Sequence, residues 1–499
     1  MRRLLLPTLS GVLYFLSWIG FGIWPLAFVC FVPLLWALRD ATPRQGFWLG
    51  AWMGFVTHLG GYTWIMHLLR TFANAPLPLA FGGYLLLCAV QGLLFGVMSG
   101  VLVWVGRRTR WKAVALLPLA LVATEFAYPL LFQSYTGVAL MALLPLAQIA
   151  ELGGPLLLSA LQAAVNGAVY DAFEAWHSAR PAPLGAMAAS LVFLLGSGAY
   201  GFLRIVRVGR AESAAPKLAV GLAQPNVGEI ELHENPWASV RTLQDETAEL
   251  HARGASLVIW PEVGYNVRAL HAGSDGRVVT GGVPVATIVG AIRVDGTHVW
   301  NSALVIDAQG RIGDHYDKIQ LLAFGEYIPG GEWFPQLYKW SPMSSPLSRG
   351  QSTAPLRWEP WRFATFICYE DILPGIVRTI MADHGGGAHA MVNLTNDSWY
   401  GAGHEQEQHF MLAAVRSIEH RRWLLRATST GISGFVDATG RVVQRIGRDQ
   451  RGVALANVPM LQGTTPYEVL GNWPGWLSLV VIVRVALWRS RRATDATSG

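Results

Sequence analysis

Cysteine is scarce in this chain, with only three among 499 residues. Cys30 and Cys88 lie inside long hydrophobic stretches, where a thiol behaves as a small apolar side chain. This scarcity excludes a disulfide-rich scaffold and a zinc site built from several cysteines. The third, Cys368, ends an apolar run and is followed at once by a polar turn. A thiol there is either a nucleophile or a buried structural side chain, and its position alone leaves both interpretations open.

Charged residues are also few, at 14% of the chain against about 25% in ordinary soluble proteins. Hydrophobic residues make up 52% of the chain and dominate it up to about residue 205. The composition is then that of a globular domain until about residue 460, and a last apolar run follows at 470–488. We therefore predict that much of the chain lies in a lipid bilayer. The net charge of +6 does not indicate nucleic-acid binding, because many arginines flank hydrophobic spans and reflect membrane orientation.

About eight apolar segments are candidates for membrane spans, each of which needs about 20 apolar residues. The first follows a basic start and imitates a signal peptide, but it lacks a convincing small-residue cleavage site and is interpreted as a retained helix. The sixth is the least regular, because polar residues from Glu151 to Asp171 border or interrupt it. The predicted spans are 4–20, 23–38, 46–69, 79–106, 113–132, 153–173, 184–203 and 470–488.

Lysine and arginine cluster in alternate loops between these spans, as in the basic run 107–112. The positive-inside rule places such loops in the cytoplasm. Seven spans then put the soluble domain outside, and the eighth returns the chain to the cytoplasm. The predicted division is a transmembrane bundle of about seven helices at 1–210, a soluble domain at 216–460, a transmembrane helix at 470–488 and a basic cytoplasmic tail at 489–499.

In the soluble domain the pattern changes to short apolar runs separated by helices and turns. This pattern predicts a mixed α/β sandwich, which is large enough to bury one core. Helices are predicted at about 237–252 and 405–421. The predicted strands are 218–223, 257–260, 287–294, 301–306, 363–367, 390–394, 424–428 and 434–436.

Three polar side chains stand where such sheets place their chemistry, at strand ends or in the loops that follow. They are Glu262, Lys318 and Cys368. A thiol nucleophile needs a base to take its proton, and a lysine can stabilise the negative charge that develops on a carbonyl oxygen. Plainer interpretations remain: a solvated turn residue for Glu262, a surface charge for Lys318 and a loop carboxylate for Glu326. Spacing alone does not decide between these interpretations.

Four local motifs are more specific than these residue types. In order along the chain they resemble the motifs of the nitrilase (carbon-nitrogen hydrolase) superfamily. With a helical bundle before the domain and one helix after it, the whole chain resembles the membrane-bound apolipoprotein N-acyltransferase family. The motifs are Trp260-Pro261-Glu262, Asp317-Lys318 with Phe324-Gly325-Glu326-Tyr327-Ile328-Pro329, Ile367-Cys368-Tyr369-Glu370, and Asn393-Leu394-Thr395-Asn396-Asp397-Ser398-Trp399-Tyr400-Gly401.

The resemblance implies an α-helical transmembrane bundle joined to a nitrilase-like αββα sandwich. It also implies a bacterial inner-membrane location, with the sandwich on the periplasmic side and both termini in the cytoplasm. The implied catalytic residues are Glu262 as general base, Lys318 as oxyanion-stabilising cation and Cys368 as nucleophile. The implied supporting groups are the second carboxylate Glu326 and the backbone amide of Tyr369, and the implied substrate-binding residues are Glu370, Asn396, Trp399 and Trp237.

The implied reaction is a ping-pong acyl transfer. An acyl chain passes from a phospholipid to Cys368 as a thioester. It then passes to the α-amino group of the diacylglyceryl-cysteine at the N-terminus of an apolipoprotein. No metal or nucleotide cofactor is implied. His404 and His409 look like ligands, but a spacing of five suits one helix face poorly, so we interpret both as helix surface.

Two positions depart from the family pattern without removing a chemical group: Ala323, where proline is usual, and Val263-Gly264 after Trp-Pro-Glu. Two rival interpretations also remain. A membrane-anchored nitrilase-type amidase would use the same residues with water as the acceptor. A transporter or scaffold with an inactive nitrilase-like domain is weakened by the presence of Glu262, Lys318 and Cys368 together.

Overall fold

The chain forms two compact units. The computed structural model describes residues 2–71, 74–228, 231, 234–271, 273–322, 325–328, 330–331, 333–334, 336, 347–382, 387–401 and 403–495. The helical unit comprises Met1–Met66, Pro76–Ile205 and Val469–Gly499. The sandwich unit comprises His67–Ala75 and Val206–Glu468.

Among the described residues, three helices are long and apolar enough to cross a membrane, namely Leu77–Thr109, Ala150–His177 and Leu184–Ala214. Shorter apolar helices cover Leu5–Ser17, Trp24–Leu38, Ala113–Ala127 and Trp473–Trp488. The helices in chain order are α1 Leu5–Ser17, α2 Val32–Leu38, α3 Pro43–Gly61, α4 Ile65–Thr71, α5 Leu77–Thr109, α6 Ala113–Ala127, α7 Leu144–Ala147, α8 Ala150–His177 and α9 Leu184–Ala214, with Trp473–Asp495 near the C-terminus.

One predicted span, 46–69, is divided between α3 and α4, because α3 ends at Gly61 and α4 begins at Ile65. α3 packs closely on α5 through small residues. A Cβ atom added at Gly54 would lie 2.3 Å from the carbonyl oxygen of Gly92. Small residues let membrane helices approach at backbone distance, and this contact requires glycine on both helices.

The polar residues that interrupt the predicted sixth span face the interior of the helical unit. Asn166 on α8 accepts a hydrogen bond from the backbone N–H of Phe31 at 2.9 Å. The Asp171 carboxylate accepts from the backbone N–H groups of Ala113 and Val114, at 3.1 and 3.0 Å. The first N–H groups of a helix have no partner within the helix. These side chains therefore satisfy backbone donors at the starts of α2 and α6.

The sandwich unit is built from two sheets. The first has the strand order β13-β1-β2-β4-β5-β6 with β3 paired to β4, and the second has the order β12-β11-β10-β9-β8-β7. The strands are β1 Lys217–Gln224, β2 Leu257–Ile259, β3 Tyr265–Leu270, β4 Ala286–Asp295, β5 His298–Ile306, β6 Ile312–Asp317, β7 Leu356–Trp358, β8 Trp361–Ile367, β9 Ala390–Thr395, β10 Leu424–Thr428, β11 Ser433–Val436, β12 Val442–Ile446 and β13 Gly452–Pro459.

The two sheets pack face to face, with β1 against β10 and β5 against β8. The helix Pro236–Ala252 lies on the first sheet, and the helices Pro374–Met381 and Glu405–His420 lie on the second. Shorter helices cover Gly276–Thr280 and Pro466–Leu470. The result is a four-layered αββα sandwich, as the sequence led us to expect.

All eight predicted strands are present, and five strands were missed. The missed strands are β3, β6, β7, β12 and β13. Four of them, β3, β6, β12 and β13, contain several partly or fully exposed residues, and β7 has only three residues. A search for apolar runs finds strands that are buried on both faces and overlooks strands with one solvated face.

The parallel strand pairs determine at which edge of each sheet the candidate site residues lie. β2 runs parallel to β1 and β4, and β9 runs parallel to β8 and β10. The residues that follow β2, β8 and β9 therefore leave the sheets at their carboxyl edges, where open α/β sheets hold their sites.

Candidate active site

The thiol lies at a strained turn directly after β8. Cys368 has a φ of 54°, in the left-handed region that non-glycine residues rarely adopt. It begins the short 3-10 helix Cys368–Ile372 and is buried. The side-chain amide of Asn393 donates to the carbonyl oxygen of Cys368 at 3.1 Å. Backbone strain of this kind persists only where neighbouring groups enforce it, and it is concentrated at functional sites.

Lys318 lies between two carboxylates that come from distant parts of the sequence. Its Nζ atom is 3.2 Å from Oε1 of Glu262 and 2.9 Å from Oε1 of Glu326. Lys318 is 1% exposed and Glu262 is 6% exposed, so one lysine faces two carboxylates away from bulk water. The structure thus brings together Glu262, Lys318 and Glu326, which the sequence motifs predicted as parts of one set.

Asn301 on β5 completes this cluster and was missed from the sequence. Its side-chain amide donates to Oε1 of Glu262 at 2.8 Å and to Oε1 of Glu326 at 2.9 Å. Glu326 also accepts from the backbone N–H of Leu322 at 2.9 Å. A signal was present, because Asn301 begins the predicted strand 301–306, and a buried amide must have hydrogen-bond partners.

The electrostatics of the cluster favour a neutral thiol at rest. Burial raises the pKa of Cys368 well above its usual range, Glu262 raises it further, and Lys318 opposes them. Burial lowers the pKa of Lys318, but Glu262 and Glu326 raise it, and the net pKa is well above the ordinary value. Burial raises the pKa of Glu262, against the effect of Lys318. A carboxylate with a raised pKa is a stronger base, which is the property needed to take a thiol proton.

Glu370 lies beneath the nucleophile turn rather than at a surface. One of its oxygens accepts from the backbone N–H groups of Ile319 and Gln320, both at 2.8 Å. The other accepts from the Tyr316 hydroxyl at 2.9 Å and from the Ile367 N–H at 2.8 Å. Burial raises the pKa of Glu370 to about 7. Full burial with both oxygens bonded to protein is at odds with the predicted substrate contact and ties the loop after Lys318 to the Cys368 turn.

The remaining predicted residues lie in three places. Tyr369 follows the nucleophile and is half-buried. Asn396 follows β9, accepts from the Ser398 N–H at 3.1 Å and precedes the short helix Asp397–Tyr400, which carries the half-buried Trp399. Trp237 is 42% exposed in the first turn of the helix Pro236–Ala252.

Of the two positions that depart from the family pattern, Ala323 lies outside the described residues. Val263 has a φ of 49°, which is unusual for a β-branched residue.

Two family models match the chain. The apolipoprotein N-acyltransferase N-terminal domain matches residues 10–168, and the carbon-nitrogen hydrolase domain matches residues 277–465. The chain is 31% identical to the apolipoprotein N-acyltransferase of Azotobacter vinelandii, over 99% of this chain and 96% of that protein. The chain belongs to the apolipoprotein N-acyltransferase family.

The chain is also similar to two further proteins. The apolipoprotein N-acyltransferase of Geobacter metallireducens is 29% identical over 98% of this chain and 96% of its own length. Among solved structures, an amidase of the nitrilase superfamily from Nesterenkonia AN1 matches 49% of this chain and 93% of its own, with 18% identity and a TM-score of 0.36.

A second group of charged side chains contacts the nucleophile turn through Asp371. His409 is buried, so its interpretation as helix surface was wrong, whereas His404 is exposed. Nδ1 of His409 lies 3.1 Å from Asp397, and Nε2 lies 2.9 Å from Asp371. Arg426 donates to both carboxylates, at 2.5 Å to Asp371 and 3.0 Å to Asp397.

Asp397, Glu405 and His409 have ligand atoms within 4.8 Å of one another and could by spacing hold a metal ion. The donor set fits a metal poorly. The guanidinium of Arg426 already occupies the positive position beside Asp397, and burial raises the pKa of Glu405 well above its usual value, which favours the neutral form of that side chain. The group is better described as an internal ion network than as a metal site.

Proposed function

We propose that the protein is an N-acyltransferase. It moves an acyl chain from a phospholipid, through a thioester on Cys368, to the α-amino group of the N-terminal diacylglyceryl-cysteine of an apolipoprotein. The observation that carries the proposal is the buried cluster of Glu262, Lys318 and Glu326, whose charges act on a strained, buried thiol. Membership of the acyltransferase family supports the choice of substrates.

In the first half of the reaction, Glu262 takes the proton of the Cys368 thiol, and the sulfur attacks the ester carbonyl of the phospholipid. Lys318 and the backbone amide of Tyr369 stabilise the oxyanion of the tetrahedral intermediate. The C–O ester bond then breaks, the protonated Glu262 returns its proton to the leaving oxygen, and a lysophospholipid departs. The acyl chain remains on sulfur.

In the second half, the α-amino group of the acceptor attacks the thioester carbonyl while Glu262 takes a proton from nitrogen. The C–S bond breaks, an amide forms, and the Cys368 thiol regains a proton. Glu326 and Asn301 hold Lys318 and Glu262 in place through both halves. Asn396, Trp399 and Trp237 are proposed to line the substrate site, whereas Glu370 is proposed to position the two catalytic loops.

We further propose that the chain crosses the bacterial inner membrane about eight times, with the sandwich unit in the periplasm and both termini in the cytoplasm. The proposed division is 1–210 for the bundle, 216–460 for the catalytic domain, 470–488 for the last span and 489–499 for the cytoplasmic tail. The basic loop 107–112 supports this orientation. A cysteine introduced at Arg110, in a background in which Cys30, Cys88 and Cys368 are all replaced by alanine, should resist an impermeant thiol reagent in spheroplasts and react after lysis. Labelling before lysis would contradict the orientation.

The test of the function is intact-protein mass spectrometry after the purified enzyme is mixed with phospholipid. We expect the wild type to gain the mass of one acyl chain, and Cys368→Ala to gain none. Cys88→Ala is the matched control, because Cys88 is also buried but lies in the helical unit. An adduct that survives in Cys368→Ala would refute the proposal.

The same experiment separates the acyltransferase from an amidase that uses water as acceptor. A diacylglyceryl peptide should remove the adduct and become N-acylated, while buffer alone should leave the adduct in place. Rapid loss of the adduct in buffer, with no acylated peptide, would favour hydrolysis.

A further inference from the structure

His409 connects two segments that both carry residues of the proposed site. Asp371 lies in the short helix Cys368–Ile372, which the nucleophile begins. Asp397 begins the short helix Asp397–Tyr400, which carries Trp399. His409, on the helix Glu405–His420, contacts one carboxylate with each ring nitrogen. The imidazole is therefore a bridge between the nucleophile turn and the predicted substrate loop.

The geometry fixes the charge of this bridge. An ionised carboxylate can only accept hydrogen bonds, so a histidine that faces a carboxylate with each nitrogen must donate from both and is an imidazolium. Burial and Arg426 lower the pKa of His409, but Asp371 and Asp397 raise it, to about 10. Burial raises the pKa of Asp397, but Arg426 and His409 lower it, to about 2. Two anions thus face two cations, and the buried network is neutral overall.

The two segments depend on this bridge to different degrees. The nucleophile turn has further attachments, because Glu370 accepts from Ile367 and Asn393 donates to Cys368. The segment Asp397–Tyr400 has longer ones: besides the contacts of its Asp397 carboxylate with His409 and Arg426, Gln406 donates to the carbonyl oxygens of Asp397 and Gly401 at 3.5 and 3.4 Å. Loss of the bridge should therefore loosen the substrate loop more than the nucleophile.

We propose that His409 is a positioning residue, whose doubly bonded imidazolium fixes the segment Asp397–Tyr400 against the Cys368 turn. This inference rests on the proposed acyl transfer and adds a residue that acts on substrate binding rather than on bond making. A buried ion network is weak support for stability, since apolar residues of similar shape often stabilise as well. Here the network has a geometric role, because it sets the distance between the Cys368 turn and the segment Asp397–Tyr400. In the proposed reaction both receive the same substrate.

The test is a single-turnover measurement of Cys368 acylation in mixed micelles of increasing phospholipid fraction, read by intact mass. His409→Gln keeps the shape of a hydrogen-bonding side chain but loses the charge and one donor direction. We expect the half-saturating phospholipid fraction to rise by about tenfold or more, which corresponds to loss of one charge-assisted hydrogen bond. The maximal acylation rate should change by less than about threefold. The variant loses an interaction that binds the ground state and the transition state equally, and such a loss weakens binding without slowing the chemical step.

Glu407→Gln is the matched control on the same helix, since Glu407 forms an ion pair with Arg445 in which both side chains are partly exposed. It should change neither quantity. In an Asp397→Asn background the His409→Gln effect on half-saturation should largely disappear, because residues that act through one contact are not additive. Additive effects would show that His409 does not act through Asp397.

Other outcomes overturn the inference in separate ways. A lower maximal rate with unchanged half-saturation would place the action of His409 on the nucleophile turn. If neither quantity changes, the network is structural only. Should His409→Gln not fold, His409→Lys retains the cation and must still show a raised half-saturating fraction with a near-normal maximal rate. Absence of an adduct in the wild type would refute the proposed function and this inference with it, whereas a wild-type adduct with unchanged variants refutes the inference alone.

Discussion

The two units of the molecule bury polar side chains for different purposes. In the helical unit, buried Asn166 and Asp171 bind backbone N–H groups at the starts of other helices. In the sandwich unit, buried Glu262 and Lys318 bind each other and act on a thiol. A polar residue inside an apolar stretch is therefore not by itself a sign of chemistry.

Charge balance also differs between the units. The helical unit has the pair Glu151 and Arg204, with Nε of the arginine 2.6 Å from Oε1 of the glutamate. The sandwich unit also has simple pairs, such as Arg416 with Glu419, but in addition it holds two carboxylates around one lysine and a second network of alternating sign. Because uncompensated buried charges are costly, a cluster that leaves carboxylates around a single cation is kept for reactivity rather than for stability. This contrast can be tested one side chain at a time.

The largest expected effect is on chemistry. Glu262→Gln keeps an oxygen that can accept from Lys318 but removes the basic site. We expect Cys368 acylation to fall by about 10² to 10⁴, the usual contribution of a general base, while the thermal unfolding temperature stays close to that of the wild type. The rate is read by intact mass and the unfolding temperature by tryptophan fluorescence in detergent.

Glu249→Gln is the control for this prediction, because Glu249 belongs to an exposed ion pair with Arg253. It should leave both measurements unchanged. Normal acylation by Glu262→Gln would assign Glu262 a structural role and remove the contrast between the two units.

A site residue could be predicted from the sequence when its neighbours along the chain identify it. Glu262, Lys318 and Cys368 stand in short motifs next to buried strands, so their sequence neighbours identify them. The His409 network was missed because its contacts join residues 12 to 55 positions apart, and no local pattern marks such a contact. The spacing of His404 and His409 even favoured the wrong interpretation, since it says nothing about which side of the helix is covered.

Prediction from local sequence has the same limit in the helical unit. Hydropathy predicts apolar segments, but it does not show where a helix must end to let a polar side chain reach backbone donors. The division of the predicted span 46–69 after Gly61 is of this kind, as is the shortness of α2, whose start receives Asn166. The strands that the sequence missed have solvated faces, so their burial is set by partners elsewhere in the chain.

An intermediate effect is expected on stability in the helical unit. Asp171→Ala leaves the backbone N–H groups of Ala113 and Val114 at the start of α6 without their acceptor. A buried donor without a partner costs about 1–3 kcal/mol. We expect a lower unfolding temperature in detergent and an unchanged rate of Cys368 acylation per folded molecule.

Asp40→Asn is the matched control, because the Asp40 side chain is 87% exposed and surface ion pairs contribute little. A slower acylation rate in Asp171→Ala with unchanged stability would show that the polar residues of the helical unit also serve the reaction.

The last expected effect is the most gradual, and it concerns the pH dependence of stability. Glu419 is fully buried beside Arg416 at 3.1 Å. Burial raises its pKa to about 7, although Arg416 lowers it. Since the folded state holds this proton more tightly than the unfolded state, the contribution of Glu419 to stability is full below its unfolded pKa and is lost as the pH rises towards 7.

Relative to Glu419→Gln, the wild type should therefore lose stability between about pH 4.5 and 7, by at most about 1.4 kcal/mol per pH unit. Thermal unfolding of both proteins across this range measures the difference. Parallel pH profiles would mean that Glu419 is ionised in the folded protein throughout, and that its pairing with Arg416 outweighs its burial.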